Sequence, residues 1–169
     1  GVEFTGELLS AELGPGLLGK VYDGLQNPLP QLAAASGNFL ERGKYLPPLD
    51  GTRQWAFTPT VRTGAKVRAG DCLGTVPEGI FAHRIMVPFG LPGELEVEHV
   101  AQAGSYTVAD VIARLRGADG AIQSVRMAQR WPVKRPIRAY AERLRPTDPL
   151  VTKVRVIDTF FPVARGGAY

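Results

Sequence analysis

The residue run with the clearest potential for chemistry is Gly14-Pro15-Gly16-Leu17-Leu18-Gly19-Lys20, which satisfies the pattern G-x-x-x-x-G-K. In a phosphate-binding loop of this kind, backbone N–H groups cradle the phosphates, the lysine reaches them, and a following Ser or Thr hydroxyl holds magnesium. The next residue here is Val21, which has no hydroxyl, and Asp23-Gly24 and Asn27-Pro28 interrupt any long helix behind the loop. The run reads as a glycine-rich turn. Nucleophilic chemistry has a single thiol, Cys72, and two imidazoles, His83 and His99, which fall on different predicted strands. No spacing pairs them, and a lone cysteine between Asp71 and Leu73 reads as a small core residue. Glu94, Glu96 and Glu98 recur every second residue, a spacing that could serve a cation. It equally describes the solvated face of a strand, and two scattered histidines make a poor zinc site. The expectation is therefore no catalytic, cofactor-binding or metal-ligating residue within these positions.

The elements that would carry these groups are short. Twenty glycines and fourteen prolines among 169 residues, with 8% aromatics, favour many brief strands and bends over a few long helices. A hydrophobic fraction of 44% permits a true core. One cysteine excludes an intrachain disulfide and fits a reducing cytoplasm. No apolar run reaches the roughly 18 to 20 residues that span a bilayer, so direct membrane insertion is not expected.

The chain divides into three stretches. Residues 1–54 hold an extended start, the glycine-rich turn, and a short helix over 28–36 with Asn27 as its cap, Pro28 at its first position and Gly37 at its stop. Residues 55–128 read as a β-rich domain whose strands pack around Leu73, Val76, Ile85, Val87, Leu95 and Val97. In that domain ELEVEHV alternates, with Leu95, Val97 and His99 on one face. Within the same stretch, a helix is expected over about 108–116, because Thr107 and Asp110 form a capping-box pattern and Val108, Val111, Ile112 and Leu115 fall at i, i+3, i+4 and i+7. Residues 129–169 read as a Pro/Arg-rich linker, poorly anchored from Trp131, that leads into an apolar segment containing Val154, Val156, Ile157, Phe160 and Phe161. Those side chains invite self-association if nothing covers them.

The formal charge of +4 is concentrated late in the chain. Between Arg130 and Arg165 there are nine Lys or Arg against three acids, Glu142, Asp148 and Asp158. A basic face could track nucleic-acid phosphates, with affinity falling steeply in salt. However, Pro132, Pro136, Pro146 and Pro149 break the stretch, and it lacks interleaved aromatics for base stacking. A solvated linker or a protein interface is the reading preferred over nucleic-acid binding.

The segments VRTGAKVRAGDCLGTV and RIMVPFGLPGELEVEHVAQAGSYTV resemble the half-motifs of biotinyl and lipoyl carrier domains. Such domains present a modifiable lysine on the hairpin between the halves, and the intervening PEGIFAHR has none. The likeness implies a barrel-sandwich fold without the carrier function, the carrier remaining an alternative that intact mass would test. A second resemblance covers nearly the whole chain. GELLSAELGPGLLGKVYDGLQNPL, WAFTPTVRTGAKVRAGDCLGTVPE, HRIMVPFGLPGEL, GSYTVADVIA, MAQRWPVKRPIR and PLVTKVRVIDTFFPVARGG resemble, in order, segments of the catalytic A (alpha) subunits of V/A-type rotary ATPases. Departures at Ala11 and Phe89 are conservative. The resemblance implies the end of an amino-terminal barrel, then the insertion called the bulge or non-homologous region, then entry into a nucleotide-binding domain. It further implies that the Walker A loop lies beyond Tyr169, so that ATP, ADP and magnesium belong to the parent subunit and not to these residues. The implied setting is a cytoplasmic sector peripheral to the membrane, coupling ATP hydrolysis or synthesis to proton or sodium transport, with B subunits and peripheral stalk subunits as partners. Both chain ends look cut, and the stretch is expected to be a structural module without its own ATPase activity.

Overall fold

A computed structural model describes residues 6–37, 39–140, 142 and 145–167. Among them the chain runs β1 (Ser10–Leu13), α1 (Leu29–Ser36), β2 (Trp55–Pro59), β3 (Lys66–Arg68), β4 (Cys72–Glu78), β5 (Phe81–Met86), β6 (Glu94–Val100), β7 (Gly104–Tyr106), β8 (Val111–Arg116), β9 (Ile122–Arg126), β10 (Gln129–Pro132) and α2 (Arg155–Phe160). The strands form two four-stranded sheets, ordered β5-β4-β2-β7 and β3-β6-β8-β9, and a two-stranded β1-β10 ribbon, with every pairing antiparallel. This is the β-rich class that the glycine and proline content implies.

Alternation fills the interior. Along β2, Trp55 and Phe57 are buried while Ala56 and Thr58 are exposed, and along β6 Leu95 and Val97 point inward while Glu94 and Glu96 face out. One cluster gathers Leu49, Trp55, Phe57, Val76, Ile85, Ala101, Val108, Ile112 and Met127. A second gathers Val67, Leu73, Val87, Leu95, Val97, Ala113, Leu115 and Val125. Burying a side chain of this size contributes about 1.5–3 kcal/mol, so the two clusters dominate the stability of the barrel. All six core residues expected from the sequence are buried.

Four expectations are corrected. Residues 108–116 are not a helix. Thr107 donates from its N–H and its hydroxyl to Asp110 Oδ2, at 2.7 and 2.9 Å, which closes a turn, and Val111–Arg116 then pairs with β6 and β9. A register shift between Val111 and Ala113 turns adjacent Ile112 and Ala113 both into the core and leaves Val111 exposed, so the i, i+3, i+4, i+7 spacing of Val108, Val111, Ile112 and Leu115 is not one buried face, over a window too short to tell the periods apart. His99 does not share the inward face of Leu95 and Val97. A shift between Val97 and His99 leaves the imidazole exposed and turns Val100 toward the core.

Asn27 does not cap α1. The cap position is Pro28, with no side-chain hydrogen bond, while the buried Asn27 amide donates to Asp23 Oδ2 at 2.8 Å and accepts from the Leu46 N–H at 2.9 Å. It ties two loops together instead. Gly37 does end the helix, its N–H donating to Ala33 O. Finally, no break falls at residue 129, because β10 pairs with β1 through Ser10↔Pro132 to Leu13↔Gln129. The compact first unit extends to Ala139, and the second is Tyr140–Tyr169. Within the second unit Asp158 accepts from Thr152 and Lys153 and so fixes the approach to α2, while Val156, Phe160 and Phe161 are exposed.

Candidate functional site

The glycine-rich turn does hold an anion, and the anion belongs to the protein. Glu78, the last residue of β4, is 7% exposed, and its Oε1 accepts from the Gly16 N–H at 2.6 Å and the Leu18 N–H at 3.2 Å. Its Oε2 lies 2.6 Å from Nδ1 of His83 on the neighbouring strand β5. Successive N–H groups on a bent backbone attract negative charge whatever supplies it, and a carboxylate of the same chain here takes the place that a phosphate occupies in nucleotide-binding loops. Close packing fixes the turn. A Cβ on Gly14 would stand 3.0 Å from Leu49 Cδ1 and 3.2 Å from the Ala128 backbone. Tyr22, a few residues on, donates to Pro48 O, and burial first and the Glu78 charge second push its phenol above the ordinary range.

The other candidate groups are kept apart. In the β4–β5 register Cys72 faces Met86, whereas His83 faces Val76. The half-buried Cys72 thiol lies 3.3 Å from the Gly74 carbonyl and 3.7 Å from the Thr60 hydroxyl, neither of which is a base. His99 sits on β6 opposite Arg114. Among the described residues, no three His, Cys, Asp or Glu side chains gather as metal ligands would. The alternating glutamates face cations of the protein. Glu94 pairs with Lys66 at 2.9 Å and Arg68 at 3.3 Å, and Glu98 pairs with Arg116. The Lys66 hydrogen bond chiefly, and Arg68 beside it, hold the Glu94 carboxyl below the usual carboxylate range.

At the hairpin where a carrier domain would present its lysine, β4 and β5 are joined through Gly79 and Ile80. Ile80 is 93% exposed and the adjoining Phe81 is 59% exposed. The tip is apolar and exposed, and Gly79, Ile80 and Phe81 offer no nucleophilic side chain. Sequence reasoning passed over both Glu78 and this tip. The signal available was an acid and two large apolar residues in PEGIF, placed where a tight turn had to be.

Comparison with known proteins gives a consistent picture. The family model described as the ATP synthase alpha/beta subunit barrel-sandwich domain matches residues 46–134. The chain is 63% identical over 168 residues to the V-type ATP synthase alpha chain 1 of Treponema pallidum (strain Nichols), covering 99% of this chain and 28% of that one. It is 57% identical to the V-type ATP synthase alpha chain of Treponema denticola and 51% identical to that of Borrelia turicatae, again over 99% of this chain and 28% and 29% of theirs. The chain thus spans less than a third of the length of these curated relatives.

Proposed function

Because the chain belongs to the ATP synthase alpha/beta subunit family, we propose that it serves as a non-catalytic structural and docking module of a V-type ATP synthase alpha (A) chain. The observation that carries this reading is the self-occupied turn. The segment with a phosphate-loop pattern closes on Glu78, and its Val21 offers no magnesium ligand, so these residues supply architecture while nucleotide and magnesium bind elsewhere in the parent. Hydrolysis or synthesis of ATP, coupled to ion movement, is the parent's activity in this proposal. No helix of the described residues is long and apolar enough to cross a membrane, which is compatible with a place in the peripheral sector.

The fold suits a part that bears load. Two buried clusters stiffen the barrel, and the β1-β10 ribbon joins an early segment to a late one, so force applied to the barrel would pass into both flanking connections at once. Docking would use the β4–β5 tip, where Ile80 and Phe81 are free to enter an apolar groove of a peripheral stalk subunit. B subunits would neighbour the parent in the ring.

The test is capture of the stalk subunits of the same organism by the tagged 169-residue chain. Capture should fall about tenfold when Ile80→Asp and Phe81→Asp are combined, and the same chain should release no phosphate from MgATP. Unchanged capture by the double variant would remove the tip as the docking point, and phosphate release by the chain alone would overturn the non-catalytic reading.

A further inference from the structure

The carboxy-terminal end of the first unit carries a cleft that the docking role does not use. After β10, the segment Val133–Ala139 folds back over the barrel. Trp131 Nε1 donates to Arg135 O at 2.8 Å, and the Phe89 and Trp131 rings meet edge to face with centroids 5.7 Å apart. Ala139 reaches the β3–β4 turn so closely that a Cβ on Gly70 would lie 2.7 Å from the Ala139 carbonyl oxygen. Two adjoining lobes with shared walls result. One, of about 490 Å³, is bounded by Phe89, Trp131, Arg135, Pro136 and Arg138. The other, of about 510 Å³, shares Gly90, Trp131 and Arg135 and continues past Leu91, Arg126, Arg130 and Pro132.

The charge of the cleft has one sign. Arg126, Arg130, Arg135 and Arg138 line it, and among the described residues no carboxylate does. None of the four forms an ion pair with a described residue. Glu12, which faces Arg130 across the β1-β10 register, lines a different depression on which Arg126 and Arg130 also border. Guanidinium groups bind carboxylates in a planar, two-pronged geometry and also rest on aromatic faces, and both modes are open here.

We propose that this cleft is a binding site for an acidic peptide segment of a partner protein, one that brings carboxylates to the arginines and an aromatic or aliphatic side chain to the Phe89–Trp131 corner. The distribution of charge selects this occupant. The arginines are distributed over both lobes, Arg126 and Arg130 on one, Arg138 on the other and Arg135 on both, which suits several carboxylates along a peptide better than a single phosphate group, and the Pro136, Pro132 and Trp131 walls suit side chains. A second copy of this chain fits poorly, because its acidic strand β6 already pairs Glu94 and Glu98 with its own cations. The site rests on the cleft alone and stands whichever protein meets the β4–β5 tip.

The experiment uses the whole 169-residue chain and a fluorescein-labelled poly(Glu,Tyr) copolymer, read by anisotropy. Binding should weaken as salt rises, and it should fall about tenfold or more in Arg135→Gln/Arg138→Gln. These exposed side chains can be changed without loss of the barrel, which far-ultraviolet circular dichroism checks. Arg68→Gln, on the paired outer face of β3, should bind as the parent chain does. Polyglutamate, which has the charge without the ring, should bind more weakly than poly(Glu,Tyr). The proposal is overturned if the double variant binds unchanged, if Arg68→Gln weakens binding equally, if polyglutamate binds as tightly, or if ATP or a single-stranded RNA displaces the copolymer at lower concentration.

Discussion

Glu78 Oε1 lies 2.6 Å from the Gly16 amide nitrogen, so the carboxylate at the end of β4 is the ligand of the glycine-rich turn 62 residues earlier. This bond and the one to Leu18 fasten the amino-terminal segment to the β4–β5 hairpin, within which Glu78 also meets His83. Glu78→Ala removes the acceptor of the buried Gly16 N–H and of the more exposed Leu18 N–H and should cost about 1–3 kcal/mol, read as a lower urea midpoint with an unchanged slope. Glu78→Gln keeps an acceptor for Gly16 and should cost less than the alanine variant. Equal losses for the two would show that the carboxylate is not what holds the turn.

Gly74 carries the tightest approach in the barrel. An added Cβ would collide with Phe57 Cε2 and stand 2.5 Å from Cζ of the same ring and 2.7 Å from the Thr58 carbonyl oxygen. Phe57 is 1% exposed and has no room to withdraw. Gly74→Ala should therefore destabilise by at least the upper part of the usual overpacking range of about 1–3 kcal/mol, measured by thermal melting. A variant as stable as the parent chain would mean that the β2 and β4 backbones can separate at this point.

The Thr107–Asp110 turn makes a signed prediction in acid. Hydrogen bonds from the Thr107 N–H first, and then from its hydroxyl, hold the Asp110 carboxyl below its ordinary 3.8. A depressed folded-state value stabilises the fold fully at pH above that ordinary value. The contribution is lost as pH falls from there through the lower folded-state value. The Thr107 amide resonance should follow the Asp110 titration with a midpoint under 3.8. An unshifted midpoint, or a loss on raising the pH, would contradict the turn.

Phe160 and Phe161, 73% and 70% exposed on and after α2, should drive self-association of the chain by itself. Sedimentation velocity should show a concentration-dependent increase in mass that Phe160→Ser/Phe161→Ser abolishes. A chain that stays monomeric at high concentration would rule out these rings as the cause.

Most of the fold could be read along the chain because its rules are local. Leu95 and Val97 alternate with glutamates, and a strand with one face on a core has no other way to arrange them. Resemblance carried the family, since the quoted segments recur in order across nearly the whole chain and the alpha-chain relatives cover 99% of it. Residues 108–116 misled because Val108, Val111, Ile112 and Leu115 fall at helical spacing over a window too short to tell the periods apart, whereas in the strand Val111 faces out and a bulge turns Ile112 and Ala113 both inward. His99 misled because a bulge between Val97 and His99 on β6 breaks the alternation that placed it inward.

The amino-acid sequence by itself determined the β-rich class, the core residues Leu73, Val76, Ile85, Val87, Leu95 and Val97, the short helix ending at Gly37, and the lack of a magnesium hydroxyl at Val21. Each depends on residue type and on spacing within a few positions. Only the tertiary structure decided that Glu78 would fill the Gly16–Leu18 turn, that β1 would pair with β10, and that Arg126, Arg130, Arg135 and Arg138 would share a cleft with Trp131. These relations join residues far apart in the chain or on different elements. They exist because the two sheets pack around common apolar clusters, and the polar groups left at the margins must then find partners among whatever the packing has brought near.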